Sequence, residues 1–258
     1  MKQILTRMVL AAFLAVAVAF SAAAVRADFQ NEHLTYKVMY KWGLVNKQAG
    51  TATLTARNNG GHLNAQLTGR SDPWADKFYR VRDTLRGQIN RENFRPVYYE
   101  KIAREGSDHK HDRVDYSYPG AKVIGSCTRR AWDKNGKLTR NEKRTLDAYG
   151  TTVDMLSAFY YMRALPYNTW QKNHVVSVNI YSGKRKELLT IKYHGTQNVK
   201  VNGKNIPCYH ITFMFTSDGR TKTSDDMSAW IATDSRIPLK LEGKLKVGKV
   251  QCFYTGRI

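Results

Sequence analysis

Hydrophobic and polar residues alternate with a period of two along most of the chain. The alternation is clear near both ends, with apolar positions at Leu34, Tyr36, Val38 and Tyr40 and again at Leu239, Leu241, Leu245 and Val247. Glycine-containing turn signals separate such segments, as at Asn59-Gly60-Gly61, Asn202-Gly203 and Asp218-Gly219. A period of two puts alternate side chains on opposite faces of a strand, and these turns favour antiparallel hairpins. The pattern therefore predicts an all-β, mainly antiparallel fold.

One segment breaks this rhythm. Residues 151–165 read T-T-V-D-M-L-S-A-F-Y-Y-M-R-A-L and would be apolar on nearly every side of a helix. Thr151 or Thr152 can cap the helix start, Asp154 suits the first turn, and Pro166 ends it. A helix that is hydrophobic all round is buried, and a sheet of more than about ten strands curls or splits. These features predict an open or spiral β-barrel wrapped around one central buried α-helix at about 151–165.

The first 27 residues have the form of an export signal. Lys2 and Arg7 give a positive start, an apolar run follows over Met8–Phe20, and Val25-Arg26-Ala27 fits a cleavage site. The run is shorter than the roughly 20 residues of a transmembrane helix, which makes an uncleaved anchor the weaker alternative. We therefore expect residues 28–258 to form one barrel-like domain without a transmembrane segment. Its location would be the periplasm or, alternatively, the cell exterior.

The net charge of the chain is +21, and it is +18 once residues 1–27 are removed. A charge of this size indicates nucleic acid for a cytoplasmic protein. For an exported protein the polyanions at hand are lipid head groups, lipopolysaccharide phosphates and acidic glycans, so nucleic acid is not expected as a partner. A solvated strand surface whose lysines discourage edge pairing is an equally good explanation of the charge.

The three cysteines, Cys127, Cys208 and Cys252, are an odd number, so at least one of them is not paired within the chain. Cys208 and Cys252 both fall on predicted strands, and a disulfide between them is geometrically possible. Buried free thiols are the equal alternative.

Several segments, in their order along the chain, resemble a known family. They include Leu34–Tyr40, Ala49–Ala52, Phe78–Asp83, Asp154–Arg163 and Trp230–Asp234. Together they are similar to the domain-of-unknown-function family 3108, a family of exported proteins of Gram-negative bacteria, over nearly all of the mature chain. The resemblance implies a β-rich, partly open barrel around a helix, related in shape to periplasmic lipoprotein carriers. It implies no activity, because the family has no established catalytic residues.

Aromatic and charged side chains supply the candidate ligand-binding residues, with core packing as the alternative for most of them. These candidates are Trp74, Tyr79, Trp132, Arg163 and Trp230. Trp74 follows Asp72-Pro73 in a predicted loop and is expected to be exposed. A charge on a buried helix needs a partner, so Arg163 either pairs with a sheet carboxylate, for which Asp83 is a candidate, or faces a ligand.

The most basic stretch, residues 129–144, holds seven Lys and Arg against two acids and predicts an exposed hairpin. As an anion-binding patch it would use Arg129, Arg130, Lys134, Lys137 and Arg140; a solvated loop is the alternative. His109 and His111 would share a strand face near Asp108 and Asp112, but no third metal ligand is indicated, so a solvated surface is favoured over a metal site. No G-x-S-x-G motif accompanies Ser157, and no catalytic residue is predicted.

Three functions remain open from the sequence. The first is a non-enzymatic envelope protein that binds an amphipathic or anionic component (lipid, lipopolysaccharide or glycan) or another envelope protein. The second is a hydrolase that acts on an envelope polymer. The third is a structural or chaperone-like interaction module without a small ligand. No motif indicates a cofactor for any of them.

Overall fold

The computed structural model describes residues 29, 31–217, 221–222, 226–245 and 247–256. The predicted signal peptide, residues 1–27, lies outside the described residues. Sixteen strands of the described ranges form one sheet. In chain order they are β1 (Glu32–Trp42), β2 (Val45–Asn59), β3 (His62–Ser71), β4 (Arg82–Asn90), β5 (Pro96–Glu105), β6 (Asp108–Ser117), β7 (Lys122–Trp132), β8 (Leu138–Tyr149), β9 (Thr152–Val153), β10 (Val175–Tyr181), β11 (Lys186–Val201), β12 (Lys204–Ser217), β13 (Thr221–Lys222), β14 (Met227–Ala232), β15 (Pro238–Lys244) and β16 (Lys249–Tyr254). Helix α1 spans Pro73–Asp76, helix α2 spans Ser157–Ala164, and a 3-10 turn spans Tyr167–Thr169.

The sheet consists of two antiparallel meanders joined through the pairing of β1 with β16. Its order is β8-β7-β6-β5-β4-β3-β2-β1-β16-β15-β14-β12-β11-β10-β9, with β13 paired to β12. Only β9 pairs in parallel among the described strands, with β10. The two ends of the sheet meet and nearly close the barrel, because the Asn179 side chain on β10 donates to the Tyr149 carbonyl at the end of β8 (2.8 Å). The prediction of an all-β, mainly antiparallel, barrel-like fold is confirmed.

The two-residue alternation places the apolar side chains inside the barrel. Leu34, Leu54 and Leu67 lie opposite one another on β1, β2 and β3, and Leu34 and Leu54 are buried. The first meander packs one hydrophobic cluster and the second meander packs another. Leu156 and Tyr160 contact the first cluster, whereas Met162 contacts the second. Strand pairing thus explains the core without a long helix.

The predicted long central helix over residues 151–165 is not supported. Thr152 and Val153 form strand β9 instead, in register with Asn179 and Ile180 of β10, which agrees with the strand preference of β-branched residues. Helix α2 then has only eight residues, of which Ser157, Ala158, Tyr160, Met162 and Arg163 are buried. Neither Thr151 nor Thr152 caps it.

Asp154 organises the start of α2. Its Oδ1 accepts hydrogen bonds from the backbone N–H groups of Leu156 (2.7 Å) and Ser157 (2.7 Å), and the Ser157 Oγ accepts one from the Asp154 N–H (2.8 Å). These bonds satisfy donors that a helix start leaves without intrahelical partners.

Gly125 on the inner face of β7 lies against the ring of Tyr181, near the seam of the barrel. A Cβ at this position would lie 2.3 Å from the Tyr181 Cδ1 atom. We therefore expect Gly125→Ala to lower the free energy of unfolding by about 1–3 kcal/mol, as overpacking of a core does. Urea denaturation measures the change. Gly69→Ala on β3 is the control, since nothing lies within 4 Å of its added Cβ; equal stability of the two variants would contradict the prediction.

Candidate functional site

A cavity of about 550 Å³ opens at the end of the barrel where β5 and β7 end and where β6 and β8 begin. The loop between α1 and β4, the β5–β6 hairpin and the β7–β8 hairpin surround it. We call it the basic cleft, after the side chains of Arg80, Arg82, Arg104, His109, Trp132 and Lys134 that line it.

Strand register brings these side chains together. Arg104 on β5 lies opposite His109 on β6, and His109 lies opposite Trp132 on β7. The His109 and Trp132 rings stack with their centroids 4.7 Å apart. The Gly106 N–H donates to the Arg80 carbonyl (2.8 Å), which ties the loop before β4 to the β5–β6 turn. The cleft is therefore built on paired strands and one fixed loop.

One arginine of the cleft is neutralised. Asp76 accepts two hydrogen bonds from Arg82, Nη2 to Oδ2 at 2.6 Å and Nη1 to Oδ1 at 3.1 Å. Bonds from the Arg82 guanidinium and the Ser71 hydroxyl hold the pKa of Asp76 below its ordinary value. Arg82 is therefore a fixed part of the wall.

The other cations of the cleft are not neutralised. Within the described part of the chain, no carboxylate lies within 4 Å of the charged groups of Arg80, Arg104 or Lys134. The nearby acids are occupied: Asp108 pairs with Lys110 (2.5 Å), and Asp133 accepts the backbone N–H groups of Asn135 and Lys137 in its own turn. Burial, with the nearby Arg104 charge, lowers the pKa of His109. The cleft is thus a concave surface with three cations, Arg80, Arg104 and Lys134, that form no ion pair with a described carboxylate.

Comparison with known proteins gives a family and a fold. Residues 35–253 match the model of a family described as a protein of unknown function, DUF3108. The chain belongs to this family. The structure of this DUF3108 chain is similar to the crystal structure of a β-barrel-like protein of the domain of unknown function DUF1849 from Brucella abortus. The TM-score is 0.59 at 12% identity, over 88% of this chain and 96% of that chain. No curated protein matches the sequence.

The fold likeness confirms the barrel-like architecture of the DUF3108 chain. At 12% identity the likeness concerns the fold alone. Among the described residues, no helix has the length and apolar character needed to cross a bilayer.

The predicted ligand-binding aromatics do not converge on one cavity. Trp132 lines the basic cleft, and Tyr79 lies beside it with its hydroxyl donating to Glu105 (3.2 Å). Trp74 is half-buried rather than exposed, because its Nε1 donates to the Gln48 carbonyl (2.6 Å). Trp230 lies on the outer face of β14, stacked on His210. Of the four aromatics, Trp132 alone lines the basic cleft.

Arg163 pairs with Glu32 and not with Asp83. Its guanidinium is fully buried and binds both carboxylate oxygens of Glu32. Asp83 lies at the cleft end of β4, where it accepts the Arg104 N–H (3.1 Å), whereas Glu32 begins β1 at the opposite end of the barrel. The hypothesis of an Asp83–Arg163 pair is wrong because these residues lie at opposite ends.

The predicted anion-binding patch of residues 129–140 does not form one surface. Arg129 and Arg140 both approach the Asp112 carboxylate, at 3.2 and 3.5 Å. Arg130 is exposed on the opposite face of β7, because successive strand residues alternate in direction. Of the five predicted residues, Lys134 lines the cleft, and Lys137 is exposed in the adjoining turn.

His109 and His111 lie on one face of β6, as their spacing predicts. His111 Nε2 is 2.6 Å from a Glu100 carboxylate oxygen, while His109 stacks on Trp132. No group of three or more His, Cys, Asp or Glu side chains that could hold a metal occurs in the described ranges.

The three cysteines are free thiols in the structure. Cys208 on β12 and Cys252 on β16 are separated by β14 and β15. The predicted disulfide between them is therefore absent, since its two residues lie on strands that are not neighbours.

Sequence reasoning missed Arg80, Arg82 and Arg104. Each lies at the end of a strand or in the loop before one, and only the strand register brings them together. The turn residues Gly106 and Gly136, which have positive φ, mark the hairpins that close the cleft and were the available signal.

Proposed function

We propose that this protein is exported to the cell envelope and binds an anionic envelope component in the basic cleft without transforming it. The observation that carries the proposal is the set of Arg80, Arg104 and Lys134, three cations without carboxylate partners in one described cavity. Guanidinium and ammonium groups bind phosphate and carboxylate oxygens through charge-assisted hydrogen bonds. Export is supported by the signal-like residues 1–27, and it makes lipid phosphates, lipopolysaccharide phosphates and acidic glycans the relevant anions.

The size and walls of the cleft suit a head group or a short saccharide. Its volume of about 550 Å³ lies in the range of small-ligand sites. The stacked His109 and Trp132 rings add a flat apolar surface beside the cations. A second cavity of about 260 Å³ shares Arg82 and Arg104 and is also lined by the exposed Arg70 and by Asp83.

Binding fits the described cleft better than hydrolysis does. A general base must reach the proton that it removes. Asp108 is paired with Lys110, and Asp133 is bonded to its own turn. His109 is held against Trp132. These contacts favour a recognition site with fixed walls.

The test is titration calorimetry with two soluble probes, a bisphosphorylated glucosamine disaccharide and a galacturonate trisaccharide. We expect at least one probe to bind and its affinity to fall at least tenfold in Arg80→Ser/Arg104→Ser. Hydrogen bonds to charged groups contribute about 1.5–3 kcal/mol each, which makes a tenfold loss a lower bound. Added salt should weaken binding as well.

Arg57→Ser is the matched control. Arg57 is an exposed arginine near the end of β2, remote from the cleft. Unchanged affinity in this variant, together with the loss in the double variant, supports the proposal. Absence of binding by both probes, or an equal loss in Arg57→Ser, would overturn it.

A further inference from the structure

Large apolar side chains that remain exposed concentrate at the cleft end of the barrel. We call the following set the apolar rim: Trp42, Leu44, Phe78, Leu138, Leu245 and Val247. Leu44 is fully exposed at the tip of the β1–β2 hairpin, and Phe78 is 83% exposed in the loop after α1. Monomeric proteins rarely leave such groups clustered at one place without an interaction that covers them.

The hairpins that carry the rim are neighbours along the sheet. β1 pairs with β16 as far as Lys41 and Lys249, so the β1–β2 and β15–β16 hairpins lie side by side. The Tyr40 hydroxyl donates to the Val247 carbonyl (3.2 Å) and links them. On the other side, the α1 loop is tied to β2 by the hydrogen bond from Trp74 to Gln48. The basic cleft and the β7–β8 hairpin with Leu138 come next.

A row of lysines crosses the rim. Lys41, Lys249 and Lys244 lie opposite one another on β1, β16 and β15. Like charges in directly opposed positions destabilise a sheet. Glu242 pairs with Lys249 (3.0 Å), whereas Lys41 and Lys244 have no carboxylate within 4 Å in the part of the chain that the structure describes. The three lysines line a cavity of about 330 Å³ together with Trp42 and Leu245. An anion at this place would relieve the repulsion.

Apolar tips beside unpaired cations match one kind of surface. A bilayer with anionic head groups presents negative charge at its face and apolar chains a few Å below it. Lysines attract the head groups, while Leu44 and Phe78 are short enough to reach only the interfacial layer. We propose that the cleft end of the barrel docks on an anionic lipid surface through the apolar rim and the Lys41–Lys249–Lys244 row. This docking is separate from ligand binding in the basic cleft, because it uses different residues.

Vesicle flotation tests the proposal with the full chain. We expect it to float with vesicles of phosphatidylglycerol and phosphatidylcholine, and to float less with vesicles of phosphatidylcholine alone. Affinity for the anionic vesicles should fall at least tenfold in Leu44→Ser/Phe78→Ser. It should also fall at least tenfold in Lys41→Gln/Lys244→Gln, since each lysine near such a surface contributes about fivefold. All variants keep the same N-terminal segment, so their differences report on the rim.

The matched control is Tyr149→Ser/Val175→Ser, which removes two exposed apolar side chains at the opposite end of the barrel. This variant should keep its affinity for anionic vesicles. Brominated phosphatidylglycerol should quench fluorescence of the parent protein, and Trp42→Phe should remove most of that quenching. Urea denaturation of each variant checks that the fold is intact.

Three outcomes would overturn the proposal. The first is equal flotation with neutral and anionic vesicles. The second is unchanged flotation of both rim variants. The third is dimerisation that Leu44→Ser/Phe78→Ser abolishes without any vesicle binding, which would make a second copy of the chain the occupant of the rim. Failure of the soluble probes to bind the basic cleft would not affect the vesicle result, since the rim variants retain the whole cleft.

Discussion

Replacing Arg163 by Leu is expected to lower the free energy of unfolding by about 3–5 kcal/mol, because it leaves the largely buried Glu32 carboxylate, 13% exposed, without its partner. Arg163 Nη1 and Nη2 donate to the two oxygens of Glu32 at 2.8 and 2.6 Å, and Nε donates to the Arg236 carbonyl at 2.7 Å. The ring of Phe29 lies 4.1 Å from the guanidinium carbon. Arg163→Leu loses all three of these hydrogen bonds and the contact of the guanidinium with Phe29.

The loss is large because the pair joins three distant parts of the chain. Glu32 begins β1, Arg163 belongs to the last turn of α2, and Arg236 precedes β15. Arg163→Lys is not expected to rescue the protein, since a lysine keeps the charge but cannot bond both carboxylate oxygens in one plane. The loss of unfolding free energy in Arg163→Lys should therefore be smaller than in Arg163→Leu but greater than zero.

Urea denaturation at neutral pH gives the free energies for a double-mutant cycle. Glu32→Leu should also be strongly destabilising, and Arg163→Leu/Glu32→Leu should lose much less than the sum of the two single variants. Arg57→Leu, at an exposed position, provides the baseline. A loss below about 1 kcal/mol in Arg163→Leu, or additive losses in the double variant, would show that the Glu32–Arg163 pair does not stabilise the fold in this way.

The Glu32–Arg163 pair also shows where sequence reasoning ends. Burial of Arg163 followed from the apolar residues around it, and so did its need for a partner. The partner itself lies 131 residues away. A strand pattern assigns a side chain to a face but not to an end of the barrel, so Asp83 and Glu32 could not be separated by pattern alone. The fold class was predictable, because the alternation at Leu34 and Tyr36 already divides the inside from the outside.

Two other differences between the predicted and the observed structure also arise because the sequence pattern does not reveal which strands pair. Thr152 and Val153 continue an apolar run that suits a helix, and only the parallel pairing with β10 makes them a strand. The basic cleft needs Arg80, Arg104 and Lys134, which belong to three segments that the strand register brings together. The basic stretch around Arg129 was visible in the sequence, but the alternation of β7 divides it between two faces.

Asp154→Asn is expected to stabilise the protein above neutral pH and to remove part of its pH dependence. Asp154 is 1% exposed, and burial raises its pKa from 3.8 to about 7 despite the hydrogen bonds from Ser157 and Leu156. Between about pH 4 and pH 7 the folded state therefore holds a proton that the unfolded state has released. The contribution of Asp154 to stability falls as the pH rises through this window and stays low above it.

The size of the expected change in stability follows from the raised pKa of Asp154. About three pKa units correspond to roughly 4 kcal/mol between the two ends of the window. Asparagine is neutral at every pH and keeps an oxygen that can accept the N–H groups of Leu156 and Ser157. The stability of Asp154→Asn minus that of the parent should therefore rise by up to about 4 kcal/mol from pH 4 to pH 8, as measured by urea denaturation at each pH.

Comparison of variants isolates this one group. His109, His194 and His210 have lowered pKa values through burial and change stability in the opposite direction, but both proteins carry them, so the difference cancels their effect. Asp154→Ala should show a parallel pH dependence with a constant further loss of about 1–2 kcal/mol, because it removes the acceptor at the helix start. A difference between Asp154→Asn and the parent that stays flat from pH 4 to pH 8 would mean that this carboxyl ionises as it does in water. The buried turn before α2 would then have to contain a source of stabilisation for the charged form beyond its two backbone donors.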